Sequence, residues 1–108
     1  MTAARRPVEK LVKVTDETAP VRCAAGDGSI REEMWEDVDG NVVRYNLAFI
    51  NFHLYSHDNG RVLGYDTAHG HLHRHFAGTV EMIESATYRE IQDRFYAEVG
   101  ELKRRKTL

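Results

Sequence analysis

Residues 42–54 read VVRYNLAFINFHL and give the clearest β-strand pattern in the chain. The stretch is rich in β-branched and aromatic residues, which are enriched in strands. Its apolar side chains alternate onto one face and then change phase by one residue; they are Val43, Tyr45, Leu47 and Phe49, followed by Ile50, Phe52 and Leu54. This change of phase predicts a β-bulge, or a strand that is buried on both faces at its centre.

Turn signals on either side of this strand predict an antiparallel meander. Asp27-Gly28, Asp39-Gly40 and Asn59-Gly60 are dipeptides that favour tight hairpins. Further strands are predicted at residues 8–14, 29–37, 61–66 and 71–76, with 79–83 either continuing the last strand or forming a separate one past Gly78. Residues 15–26 are polar or small, include Pro20 and give only a weak signal.

The C-terminal segment has the pattern of an amphipathic helix. Thr87 and Glu90 have the spacing of a capping box. Apolar residues then recur every three or four positions, at Tyr88, Ile91, Phe95, Val99 and Leu102. The sequence therefore predicts an α+β fold: an antiparallel meander of about five strands with one long C-terminal helix packed on one face. We expect a single domain over residues 1–108, with 1–7 and 104–108 frayed. The other face is solvated or covered by a second subunit, and we expect a homodimer.

The composition is that of an ordinary globular protein, with 42% hydrophobic and 30% charged residues, which argues against disorder. A net charge of −2 gives no overall attraction for nucleic acid, so RNA binding would need a local basic patch. The single cysteine, Cys23, cannot form an internal disulfide. The N-terminal residues lack the apolar core of a signal peptide, and no apolar run is long enough to span a membrane. We expect a cytoplasmic protein with no membrane partner.

Residues 65–76 read YDTAHGHLHRHF and contain four of the six histidines, at every second position. They are His69, His71, His73 and His75. In an extended strand, alternate side chains point to opposite faces. The last three histidines would then share one face, and Leu72, Arg74 and Phe76 would share the other.

Three interpretations of this histidine face are open. Two imidazoles can act as general base and general acid near neutral pH, which is what metal-independent RNA cleavage requires. An arginine would stabilise the phosphoryl charge, although alternation places Arg74 on the other face. His71, His73 and His75, with Asp66, could instead bind a transition metal such as zinc. The face could also be a polar strand surface or a non-enzymatic interaction module.

The run VLGYDTAHG at 62–70, followed by HRHF at 73–76, resembles the TumE family, the toxin component of a class of prokaryotic toxin–antitoxin pairs. Members carry a Tyr-Asp-Asn, Gly, His-Arg-His-Tyr/Phe signature in a chain of about this length, and here Thr67 stands where asparagine is usual. The resemblance implies a toxin partnered with a small helix-turn-helix antitoxin. It also implies a site made of Tyr65, Asp66, His73, Arg74 and His75.

The residues and the resemblance together lead to the hypothesis of a toxin that cleaves or binds RNA without a cofactor. His73 and His75 would be the acid/base pair, and Arg74 would bind phosphate. Asp66 would orient an imidazole, and Tyr65 would hydrogen-bond or stack at the site. Four further residues, His69, His71, Lys103 and Arg104, are expected to contact the substrate.

Overall fold

The computed structural model describes residues 10–108, which form one six-stranded antiparallel sheet and one helix. The strands follow one another in the sheet in chain order. They are β1 (Val12–Val21), β2 (Gly28–Glu36), β3 (Val42–Ile50), β4 (Arg61–Asp66), β5 (His73–Phe76) and β6 (Thr79–Met82), and the helix is α1 (Tyr88–Leu102). The predicted α+β meander is confirmed, with six strands rather than about five.

The additional strand is β6, which the sequence predicted either as a continuation of β5 or as a separate strand past Gly78. Ala77 and Gly78 have φ of +45° and +83°, which is the left-handed backbone of a two-residue hairpin turn. This turn separates β5 from β6, and Phe76 pairs with Thr79 across it. The predicted strand at 71–76 also begins later than expected, at His73.

β1 differs most from the prediction. It begins at Val12 and continues through the weak stretch as far as Val21, while residues 8 and 9 of the predicted strand lie outside the described residues. β1 pairs on one side only, with β2. An edge strand tolerates charged residues and a proline, so Pro20 lies opposite Ser29 without breaking the pairing.

The strand predicted at 42–54 ends at Ile50, because residues 52–54 form a turn, so Phe52 and Leu54 do not continue the apolar row of β3. A bulge is present just before that end, in the pairing of β3 with β4. Phe49 pairs with Leu63, whereas Ile50 pairs with Arg61, so the extra residue is Val62 on β4. Val62 is fully buried in the core. The bulge therefore lets Val62 and Leu63 both enter the core, while Arg61, opposite Ile50, turns toward the other face.

The core lies between α1 and the centre of the sheet. Its largest buried side chains come from β3, β4 and the apolar stripe of the helix, and include Leu47, Phe49, Leu63, Tyr65, Ile91, Phe95, Val99 and Leu102. The predicted cap is confirmed, because Thr87 Oγ1 accepts a hydrogen bond of 3.1 Å from the Glu90 N–H. Between residues 10 and 108, no helix combines the length and hydrophobicity needed to cross a membrane.

The sheet thus has two different faces. One, which we call the helix face, packs against α1. No helix or strand of the described residues covers the other, which we call the open face. The open face is largely polar and carries the side chains discussed next.

Candidate functional site

The histidine-rich strand β5 divides its side chains between the two faces. His73 and His75 contact Asp66 on the open face. Arg74, between them, contacts Glu98 of α1 on the helix face. The alternation predicted from the sequence therefore places the chemistry-bearing residues in two separate clusters.

The first, which we call the histidine cluster, consists of Arg61, Asp66, His73 and His75. Asp66 lies between the two rings, with Oδ2 2.8 Å from His75 Nε2 and Oδ1 3.9 Å from His73 Nδ1. Arg61 adds a cation, with Nη1 3.5 Å from Asp66 Oδ2 and Nη2 3.1 Å from His75 Nδ1. The Ala68 N–H donates to Asp66 Oδ1 at 3.1 Å, which fixes the orientation of the carboxylate.

The contact with Arg61 is compatible with one tautomer of the neutral His75 ring. An arginine can only donate, so His75 Nδ1 must be the accepting, unprotonated nitrogen. The neutral ring therefore carries its proton on Nε2, on the side of Asp66. That nitrogen is buried and lies 2.8 Å from Asp66 Oδ2, but without the alignment of a proper hydrogen bond. His75 thus has a hydrogen bond at Nδ1 and none at Nε2.

Arg61 reaches the histidines because Gly64, over which its side chain passes, has no side chain of its own. A Cβ on Gly64 would lie only 2.9 Å from Arg61 Cδ and 3.3 Å from the Leu47 carbonyl oxygen. Asp58 holds the guanidinium from the other side, with its Oδ2 2.8 Å from Arg61 Nε. Arg61 is a site residue that no motif or strand pattern in the sequence indicated.

The remaining predicted histidines lie beside the cluster. The ring centres of His71 and His73 are 6.4 Å apart, and those of His73 and His75 are 6.3 Å apart. His71 precedes β5 and is exposed. His69 belongs to the short turn Ala68–Gly70, and its side chain lies outside the described part of the structure.

The second cluster, which we call the helix lock, consists of Tyr65, Arg74 and Glu98 on the helix face. Tyr65 donates its hydroxyl hydrogen to Glu98 and accepts a hydrogen bond of 3.1 Å from Arg74 Nε. Arg74 also pairs with Glu98 directly. Burial raises the pKa of Tyr65, and its hydrogen bond to Glu98 raises it further. The hydrogen bond to Glu98 likewise raises the pKa of Arg74, which stays charged.

The helix lock separates two predicted site residues from the others. Tyr65 and Arg74 lie on the helix face, where they join α1 to β4 and β5, and the structure does not bring them to the histidines. Glu98, their partner, was missed by sequence reasoning, because it is 33 residues from Tyr65 in the chain. Lys103 and Arg104 follow the C-terminal end of α1, where the Lys103 carbonyl accepts from the Ala24 N–H, and they too lie apart from the histidine cluster.

The histidine cluster does not have the arrangement of a metal site. Within residues 10–108, no group of three or more histidine, cysteine or acidic side chains is placed to hold a metal ion. The Arg61 guanidinium lies 3.5 Å from Asp66 Oδ2 and 3.1 Å from His75 Nδ1, and its positive charge would repel a metal ion at these groups.

No protein-family model matches this chain, and comparison with curated proteins and with solved structures finds no match. The geometry of the open face is therefore the basis for a function, and membership of the TumE family stays a prediction from the motif.

Proposed function

We propose that this protein is a small toxin that cleaves RNA by metal-independent acid/base chemistry on the open face of its sheet. The observation that carries the proposal is the histidine cluster itself. One carboxylate, Asp66, lies beside two imidazoles with an arginine within 3.5 Å. Cleavage of an RNA phosphodiester without a metal needs a general base, a general acid, an anion that orients them and a cation, and the cluster contains all four.

The reaction uses the 2′-hydroxyl of the substrate as its nucleophile. A neutral imidazole takes the 2′-hydroxyl proton while O2′ forms a bond to phosphorus. The bond from phosphorus to the 5′-oxygen breaks, and a protonated imidazole gives its proton to that leaving oxygen. The products are a 2′,3′-cyclic phosphate and a 5′-hydroxyl, and the two histidines exchange protonation states.

Arg61 replaces Arg74 as the cation of the site. Arg61 Nη2 lies 3.1 Å from His75 Nδ1, which can accept its hydrogen bond only in the neutral ring. A phosphate oxygen is a stronger partner for a guanidinium than a neutral nitrogen is. A bound phosphate would therefore draw Arg61 away and release His75 Nδ1 for proton transfer. His73 makes only a 3.9 Å contact with Asp66 and its side chain is 21% exposed, so it can act without such an exchange.

The resemblance of residues 62–76 to TumE proteins supports the toxin part of the proposal. It brings with it a small helix-turn-helix antitoxin as the partner that restrains the activity. The homodimer expected from the sequence belongs to the same proposal, and light scattering on the purified protein tests it.

Single substitutions in the histidine cluster test the proposal. His73→Ala and His75→Ala should each lower the rate of RNA cleavage in the presence of EDTA by about 10²–10⁴-fold. The His73 and His75 side chains are only 21% and 16% exposed, so each variant is assayed at a temperature where its own melting curve shows that it is folded. His57→Ala is the matched control, since His57 is exposed and outside the cluster. Expression should inhibit growth for wild type and His57→Ala alone. Undiminished cleavage by both cluster variants, or activity that needs an added metal, would refute the proposal.

A second candidate function, a non-enzymatic interaction module, is favoured by one observation. β6 is an edge strand, and its Val80 and Met82 are 55% and 68% exposed. They pair with His75 and His73, so they lie beside the cluster on the open face. Growth inhibition that survives both histidine substitutions but is lost in Val80→Asp would favour this function over cleavage.

A further inference from the structure

A stack of aromatic and cationic side chains lies on the open face, next to the histidine cluster. Lys13, Trp35 and Arg44 are neighbours across β1, β2 and β3. Lys13 Nζ is 5.0 Å from the centre of the Trp35 ring, and Arg44 Cζ is 4.7 Å from it. Both are within the range of cation–π attraction, which holds the cations against the ring.

Arg44 differs from the other cations of this face in its charge partners. Arg31, Arg61 and Lys13 each lie within 4.0 Å of at least one carboxylate. Within the part of the chain that the structure describes, Arg44 has no carboxylate at that distance, and it is exposed. Its guanidinium therefore lies over Trp35 and is not paired with a carboxylate of residues 10–108.

A groove connects this stack to the histidine cluster. It has a volume of about 410 Å³ and is open to solvent, with Trp35 and Arg44 at one end and Asp66 and Arg61 at the other. Asn46 lies between them and pairs with Asp66, which in turn pairs with His73. Arg44 is two residues before Asn46 on β3, a rise of about 6.8 Å along the strand. The stack is therefore one row of side chains away from the cluster.

We propose that this groove binds one nucleotide of single-stranded RNA beside the bond that is cleaved, with its base stacked on the Arg44 guanidinium. Arginine planes are a recurrent stacking surface for unpaired bases, and Trp35 holds this one in place. Arg61 at the far end lies where it can meet the neighbouring phosphate. A base in a duplex does not expose its face, so the groove selects single strands. This inference rests on the ribonuclease function proposed above and names its substrate class.

The protein contains a single tryptophan, so its fluorescence reports directly on this groove. The probe is a 2′-O-methyl single-stranded oligoribonucleotide, which cannot be cleaved. Titration should give a saturable change in Trp35 emission, with affinity measured independently from the anisotropy of a labelled oligonucleotide. Arg44→Ala should weaken binding by about five- to 150-fold, the range of one lost stacking contact. Arg44→Lys keeps the charge without the plane and should recover only part of the affinity. Arg89→Ala, an exposed arginine on α1, is the control and should bind like wild type.

Three results would overturn the inference: wild-type affinity in Arg44→Ala, equal binding of a duplex of the same sequence, or equally effective competition by inorganic polyphosphate. The failure of the two proposals can be told apart. His73→Ala should bind the probe normally yet fail to cleave RNA. Binding that depends on Arg44, in a wild-type protein that cleaves no RNA, would support the groove and refute the ribonuclease. Cleavage of RNA by wild type, together with unchanged binding in Arg44→Ala, would support the ribonuclease and refute the groove.

Discussion

Replacing Arg74 by methionine should destabilise the protein and leave its RNA cleavage largely intact. Methionine keeps most of the length of the side chain but removes the guanidinium. On the helix face, Arg74 pairs with Glu98 and donates to the Tyr65 hydroxyl, so its loss leaves Glu98 with the buried tyrosine alone. The position of Arg74 in a TumE-like motif suggested phosphate binding, and this substitution distinguishes that role from a structural one.

The size of the effect follows from how far the pair is buried. The Arg74 and Glu98 side chains are 22% and 29% exposed. Exposed ion pairs contribute about 0–1 kcal/mol, whereas breaking a buried pair costs about 3–5 kcal/mol. An intermediate pair should cost about 2 kcal/mol. For a domain of this size, that corresponds to a fall of roughly 10 °C in melting temperature.

Urea unfolding of four proteins gives the measurement: wild type, Arg74→Met, Glu98→Gln and the double variant. The two single changes should be coupled by about 1 kcal/mol, because they remove the same contact. Arg89→Met on the exposed surface of α1 is the control and should unfold like wild type. An unchanged unfolding midpoint in Arg74→Met, combined with lost cleavage at a temperature where the protein is folded, would show that the reasoning is wrong.

Two further predictions concern the open face. Gly64→Ala should slow RNA cleavage at least tenfold, because a Cβ would lie 2.9 Å from Arg61 Cδ and displace that side chain from the histidines. Gly100→Ala is the control: its new Cβ would have nothing within 4 Å, and the change should stabilise α1 by about 1 kcal/mol. Equal cleavage rates for the two variants would exclude a role for Arg61. Hydrogen bonds from Lys13, first of all, and from Arg31 and Asn46 lower the pKa of Glu33 from 4.5 to about 2. A lowered pKa means that Glu33 stabilises the fold above pH 4.5 and that this contribution is lost as the pH falls from about 4.5 to about 2. The urea midpoint of Glu33→Gln should therefore depend less on pH in that window than that of wild type, and parallel pH profiles would contradict the assignment.

The sequence predicted best those elements whose signals are local. The bounds of β4 are as predicted, and its start is marked by the turn signal Asn59-Gly60 directly before it. The start of α1 follows from the Thr87 cap in the same way. β1 had no such signal, because it is an exposed edge strand that forms by pairing with β2 and carries no continuous apolar row.

The candidate site could be predicted only in part, for a related reason. Strand alternation correctly separates His73 and His75 from Arg74, since it depends on the backbone alone. The orientation of Arg61 depends on a bulge in β4 and on the space above Gly64, neither of which can be derived from a strand pattern. The contact of Tyr65 with Glu98 joins a strand to a helix far along the chain, and the helical pattern indicates only that Glu98 adjoins the buried stripe.

The two clusters share the strands β4 and β5, yet different interactions hold them. Asp66 and His73 are direct cross-strand partners, and Gly64 pairs with His75. These positions are fixed by the backbone hydrogen bonds of the sheet, whereas the helix lock acts through side chains on the opposite face. Removing Arg74 therefore weakens the attachment of α1 without changing the register that sets Asp66 between the histidines. For this reason we expect stability and cleavage to respond to separate substitutions, although Tyr65 and Asp66, like Arg74 and His75, are adjacent in the sequence.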